Sequence, residues 1–234
     1  MADAVRGAII AAGEGSRLRA DGYRVPKPMV EVAGLPLIGA VLRNFTTAGI
    51  TAITIILNEQ ERECVDWVRT RFPALELDFV VKTTASSLES FREVTGRGPA
   101  GPMLVSTVDA WCAAEDFARF AAAAASRPDD ATVLAVTPFV SDEKPLWVTL
   151  GAGGRVEALG KVDSGLVTAG VYRVSDRARR LSPARALGRL REYLGWLHES
   201  GEPLYGEIIE TVVDVDRALD VASAEALARG ARRA

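Results

Sequence analysis

Residues 7–28 restrict the fold more than any other stretch of this chain. Gly7 to Ile10 is a short apolar run that opens at once into Ala-Ala-Gly-Glu-Gly-Ser-Arg-Leu-Arg, residues 11–19. A strand that ends in glycines is a strand–loop–helix unit of an α/β protein. Glycines at such a turn let backbone N–H groups close on a phosphate. Arg17 and, ten residues later, Lys27 between Pro26 and Pro28 add two cations. Fixed cations beside open backbone amides suit a triphosphate.

Known phosphate loops narrow the reading. A dinucleotide fingerprint requires a third glycine where Leu18 stands, and a Walker-type loop requires Gly-Lys-Ser/Thr, which the chain lacks. A plain connecting turn leaves the joint occurrence of Arg17, Pro26, Lys27 and Pro28 unexplained.

Beyond the loop, apolar runs alternate with helical periodicity as far as residue 137. Strands are expected at 5–11, 51–57, 75–81, 103–107 and 131–137. Helices are expected at 37–48, 61–72, 88–94 and 115–125. This alternation predicts a parallel sheet covered on both faces. The rhythm then changes. Residues 147–150 and 156–159 flank Gly151-Ala152-Gly153-Gly154 and read as a hairpin. A strand at 165–173, a long helix at 176–200 interrupted at Pro183, a last strand at 208–215 and a closing helix at 222–229 complete the reading. One domain is expected over 1–234, with residues 1–137 serving a nucleotide and 138–234 serving an acceptor.

Bulk properties exclude several classes. The chain is 48% hydrophobic and 25% charged, which does not describe a disordered protein. A net charge of −3 gives no basic footprint for nucleic acid. The arginines at 177, 179, 180, 185, 189 and 191 read as the solvated face of a helix. No apolar run approaches the ~18 residues of a membrane span. Cys64 and Cys112 fit neither a metal site nor a disulfide framework, so a reducing cytoplasm is expected. His198 has no partner pattern. Trp111 reads as a core aromatic or as a wall of the acceptor pocket. Oligomeric state is not readable.

Residues 8–38, from Ala8 through Pro26-Lys27-Pro28 to Ile38, resemble the signature of the nucleotidyltransferases that make nucleoside-diphosphate sugars and related activated alcohols. That signature is a strand, A-(A/G)-G-x-G-x-R-L, a variable loop, P-K-P, and a v-x-G-x-P-L-i stretch opening a helix. The resemblance implies a Rossmann-like three-layer α/β/α sandwich with a mostly parallel central sheet and a small hairpin insertion. It implies that Gly13, Gly15 and Ser16 donate to the triphosphate, that Arg17 holds the β- and γ-phosphates, and that Lys27 meets the α-phosphate and the acceptor phosphate. Ala11, Ala12 and Gly13 would line the base on one side. On the other, Ser86 and Ser87 either meet the base or cap the following helix. Mg²⁺ would be held by Asp109, just past the fourth strand, and by Asp216. Asp214 stands as understudy on the same strand face, and Asp220 caps or salt-bridges the last helix. Thr168 and Gly170 occupy the strand that touches the acceptor, with threonine where asparagine is common. Lys161 is a candidate contact to the acceptor phosphate.

The expected activity is Mg²⁺-dependent transfer of NMP from an NTP to a phosphorylated small molecule, with pyrophosphate released. A sugar 1-phosphate leads as acceptor, and cytidylyl transfer to phosphocholine or another phospho-alcohol is the alternative. Ala-Ala-Gly rather than Ala-Gly-Gly resembles the uridylyl- and cytidylyl-transferring branches. Molybdenum-cofactor guanylyltransferases rank lower because their lysine loop usually differs. A nucleotide-binding regulatory module without catalysis is the reading from another class.

Overall fold

A computed structural model describes residues 5–140, 145–160 and 162–231. The elements run β1 (Arg6–Ala11), α1 (Ser16–Ala20), α2 (Leu37–Thr47), β2 (Ala52–Leu57), α3 (Arg62–Arg71), β3 (Glu76–Val81), α4 (Ser87–Thr95), β4 (Met103–Thr107) and α5 (Ala114–Ala125). There follow β5 (Thr132–Thr137), β6 (Trp147–Leu150), β7 (Val156–Gly160), β8 (Val167–Val174), α6 (Asp176–Arg180), α7 (Leu190–Glu199), β9 (Leu204–Ile208) and α8 (Ala218–Ala231). Among the described residues no helix is long and apolar enough to cross a membrane.

The nine strands form one mixed, mostly parallel sheet. β1 lies between β2 and β4, and β3 extends that block, all in parallel. β8 runs antiparallel to both β4 and β5, and β9 pairs with β5 in parallel. The β6–β7 hairpin attaches at the start of β8, through Val167 opposite Trp147.

Strand alternation sorts β1 between two cores. Ile9 and Ala11 face one layer, which includes Leu42, Phe45 and Phe117. Ala8 and Ile10 face the other, with Phe91, Val94 and Tyr193. A strand apolar on both faces suits a central parallel position. Phe45 and Phe117 meet edge to face at 5.1 Å between ring centres, joining α2 to α5.

Two expected elements differ. The last strand lies at 204–208 rather than 208–215. Tyr205 to Ile208 pair with Val133 to Val136 of β5, while only Val213 and Asp214 pair beyond it, against Trp111 and Ala110. Leu-Tyr-Gly-Glu-Ile carries too little apolar periodicity to be seen alone, and pairing with β5 decides it. The long helix is two short ones, α6 and α7, separated by residues 181–189 around Pro183. Its arginines are not all solvated. Arg179 turns inward and donates to the carbonyls of Thr95, Arg97, Pro99 and Gly101, so it organises the loop before β4.

Glu61, in the turn leading into α3, is 6% exposed, and its Oε2 has no hydrogen-bond partner among the described residues. Burial pushes this carboxyl up to about 7, against smaller opposing effects of the Asn58 backbone and Arg19. An unfolded glutamate ionises near 4.5, so between those values the unfolded chain gives up its proton first. This group's contribution to stability is therefore full below about pH 4.5 and is lost as pH rises through about 7. Thermal melts from pH 4.5 to 8 should show Glu61→Gln losing this dependence and exceeding wild type above pH 7. Parallel curves for the two proteins would reject the assignment.

Candidate active site

The C-terminal ends of β1 and β4 lie side by side, in the crevice where open α/β sheets take ligands. Three segments converge there. The first is the glycine loop. Gly15 adopts the left-handed conformation (φ 60°, ψ 32°), and its carbonyl accepts the Arg19 N–H at 3.0 Å, which starts α1. The second is Pro26-Lys27-Pro28, where a single 3₁₀ turn over Lys27–Met29 brings the Met29 N–H to the Pro26 carbonyl at 2.8 Å. Flanking prolines fix the backbone of the lysine between them. A Cβ on Gly15 would stand 2.7 Å from Lys27 Cβ, so glycine is what admits the lysine.

The third segment holds the carboxylates. Asp109 follows β4, and Asp214 and Asp216 come from near the end of the chain. A two-residue ribbon joins them, with Asp214 opposite Ala110 and the Val215 N–H on the Asp109 carbonyl at 3.0 Å. One oxygen from each of the three carboxylates lies within 4.8 Å of the others, and this is the one such acidic group among the described residues. Asp214 thus lies beside Asp216 and Asp109 in one cluster. Asp220 caps α8, accepting the Asp216 and Arg217 N–H groups at 3.0 and 2.8 Å.

The cations sit on these acids. Lys27, only 7% exposed, donates to Asp109 Oδ2 at 2.6 Å and also to Asp216 Oδ1. Arg17 Nη1 donates to Asp216 Oδ2 at 2.6 Å. Burial by itself would lower the Lys27 ammonium, but the charges of Asp109 and Asp216 outweigh it and hold it above the usual lysine range. Burial would likewise raise Asp109; Lys27, then a Thr107 hydroxyl, bring it below the usual carboxylate range. Lys27 and Asp109 are therefore both charged throughout the neutral range.

A cavity of about 260 Å³ opens beside the carboxylates, walled by Thr107, Thr137, Thr168, Gly170, Tyr172 and Arg191 among others. Gly170 (φ 72°) comes so close to β4 that a Cβ would stand 2.6 Å from Thr107 Oγ1. Burial pushes the Tyr172 phenol up to about 12, against a smaller opposing effect of the Thr168 hydroxyl. Arg191 is the residue the sequence reading missed. Its helical spacing looked like a solvated face, and only the break before α7 turns it toward the cavity.

Ala11 and Ala12 are buried at the mouth of the loop, and Ser16 opens α1. Ser87 Oγ accepts the Leu190 N–H at 3.1 Å, tying α4 to α7 at the cavity edge. Ser86 is the N-cap of α4, its Oγ accepting the Glu89 N–H at 3.1 Å. Ser86→Ala is accordingly expected to cost about 1 kcal/mol of stability with the KM for nucleotide unchanged. Denaturant melts and nucleotide titration check it, and a raised KM at unchanged stability would reverse the assignment. Trp111 lines a separate groove with Val32, Leu35 and Cys112, away from the carboxylates. Lys161 lies outside the described residues.

The glycine loop at the head of β1, Lys27 and Arg17 on Asp216, and three clustered carboxylates share one crevice. The chain belongs to the MobA-like NTP transferase domain family, whose pattern matches residues 7–190. It is 27% identical over 90 residues to a CMP-5′-(3-aminopropyl)phosphonate synthase of Streptomyces rubellomurinus, an alignment covering 38% of this chain and 14% of that protein. It is 30% identical over 95 residues to a 2-aminoethylphosphonate cytidylyltransferase of Lancefieldella rimae, covering 38% of each. The chain thus matches well under half the length of these curated relatives. The structure of the inositol-1-phosphate CTP transferase from T. maritima superposes with a TM-score of 0.79 over 95% of this chain and 96% of that one, at 18% identity. That likeness establishes the fold, with the α/β architecture and mostly parallel sheet expected from the sequence.

Proposed function

We infer that this enzyme transfers CMP from CTP to a small phosphonate or phosphate monoester, releasing pyrophosphate. The observation that carries the transfer chemistry is the convergence of Lys27 and Arg17 on Asp109 and Asp216 beside the glycine loop. The base and acceptor classes rest on the relatives, whose names specify cytidylyl products on aminoalkylphosphonates, and on the structural neighbour that takes inositol 1-phosphate.

In this reading the amides at Gly13 and Gly15 and the Arg17 guanidinium take the triphosphate. Lys27 stands between the α-phosphate and the acceptor anion and offsets the repulsion between them. Phosphate dianions exist at neutral pH, their second pKa being near 6, so the attacking oxygen needs no general base. In-line attack on the α-phosphorus then forms one P–O bond and breaks another, with no covalent enzyme intermediate. Asp109, Asp214 and Asp216 fit a hard divalent cation such as Mg²⁺, since all three donors are carboxylate oxygens. Bound there, Mg²⁺ supplies charge neutralisation for the reacting phosphates. The acceptor occupies the cavity walled by Thr168, Gly170 and Tyr172.

A sugar 1-phosphate remains the second reading. The hydroxyl-lined cavity favours it. Pyrophosphate release tests both. Each NTP is paired with 2-aminoethylphosphonate, phosphocholine, inositol 1-phosphate and glucose 1-phosphate. Release with CTP and a phosphonate or phospho-alcohol is expected. Release with glucose 1-phosphate alone selects the second reading. Nucleotide binding without release from any pair would assign a regulatory module.

A further inference from the structure

The geometry points to Lys27 as an internal cation that closes the carboxylate site, so that divalent metal and nucleotide bind cooperatively. This rests on reading Asp109, Asp214 and Asp216 as metal ligands. Three carboxylate oxygens within 4.8 Å of one another repel unless a positive charge stands among them. Lys27 supplies it, bonded to two of the three acids, while Arg17 takes the second oxygen of Asp216. The glycine loop is tied to the same C-terminal segment at another point, where Asp21 Oδ2 accepts the Ala218 N–H at 3.0 Å. In the described state the two cations of the loop and the acids at its far side satisfy each other.

A divalent cation arriving alone must push Lys27 off two carboxylates. That would leave a buried ammonium without a partner, beside a second positive charge, which is a costly state. A triphosphate changes the exchange. Its oxygens receive Lys27 and Arg17 as the metal takes over the carboxylates, so every charge keeps a partner. Each ligand thereby raises the affinity of the other, by roughly 5- to 150-fold if the coupling is of ordinary size. Lys27 thus keeps the site shut to metal when no nucleotide is present.

Mn²⁺ is the probe, followed by electron paramagnetic resonance of the free ion, with no nucleotide present and no turnover required. Wild type is expected to bind Mn²⁺ weakly. Lys27→Met removes the charge but keeps the length of the side chain, and should bind it roughly 5- to 150-fold more tightly. Adding Asp109→Asn to that variant should abolish the gain, which locates the ion among these acids. Arg17→Met, at a half-exposed position that tolerates change, should tighten binding by a smaller factor. Circular dichroism establishes that each variant is folded. A folded Lys27→Met protein binding Mn²⁺ no better than wild type would overturn the proposal, as would a gain that survives Asp109→Asn. If Lys27→Met does not fold, an Arg17→Met protein without tightened binding overturns it equally. A gain in Mn²⁺ affinity on Lys27→Met, with no pyrophosphate released from any pair by the wild-type protein, would keep the proposal and reject the catalytic reading.

Discussion

Asp109→Asn is expected to lower kcat by at least about 10²- to 10³-fold while the protein remains folded. Asparagine keeps the size of the side chain and removes its charge. The change takes one of three clustered carboxylates from the site and one of two counter-charges from Lys27. Lys27 retains Asp216, so the buried ammonium is not abandoned. The stability loss should fall at or below the lower end of the 3–5 kcal/mol seen when a buried pair is broken outright. The KM for nucleotide should move less than kcat, because the glycine loop and Arg17 are intact. Single-turnover pyrophosphate release and a thermal melt on the same preparation separate the two effects. Turnover at the wild-type level would remove Asp109 from the chemistry.

Gly15→Ala is the second large effect, expected near a 10²-fold loss in kcat/KM. Two costs meet at this position. Alanine at φ 60° is strained by about 1–2 kcal/mol. Its Cβ would also stand 2.7 Å from Lys27 Cβ, in contact that real Cβ atoms do not make. Lys27 cannot yield along the chain, because Pro26 and Pro28 hold its backbone, so its ammonium must leave its position between Asp109 and Asp216. A shift of about 1 Å at a reacting centre is enough for the loss expected. Gly22→Ala is the control. Gly22 also has positive φ (101°), but its Cβ would meet nothing within 4 Å. It should lose stability and keep its rate. Equal rates for both variants would show that the contact with Lys27 carries no catalytic consequence.

Those two residues indicate which features were legible in the sequence. Gly15, the prolines around Lys27 and the position of Asp109 at a strand end are local signals, read from neighbours a few residues away. The alternation through residue 137 is local as well, and the four parallel strands β1 to β4 follow it within a residue or so. What failed was non-local. β9 is a strand because β5 offers it an edge, and nothing in Leu204 to Ile208 announces that edge. Arg179 and Arg191 shared one helical spacing with solvated arginines, yet one is buried against a loop of carbonyls and the other lines the cavity. Ser86 and Ser87 were left between two roles, and hydrogen bonds to Glu89 and Leu190 now engage both hydroxyls. Asp214 ranked behind Asp216 on motif position alone. The ribbon with Ala110 puts both beside Asp109.

That ribbon has a consequence for how the enzyme comes into being. It joins residues from the middle of the chain to residues near its end, and Arg17 meets Asp216 across 199 positions of sequence. Contacts of such separation form late, after the loops between them have closed. During synthesis the phosphate loop and Lys27 leave the ribosome with no acid of the C-terminal segment to meet. A growing chain short of residue 213 can therefore fold much of its parallel sheet and still lack the centre. The centre is complete only once residues 213–216 have met Asp109 and Arg17.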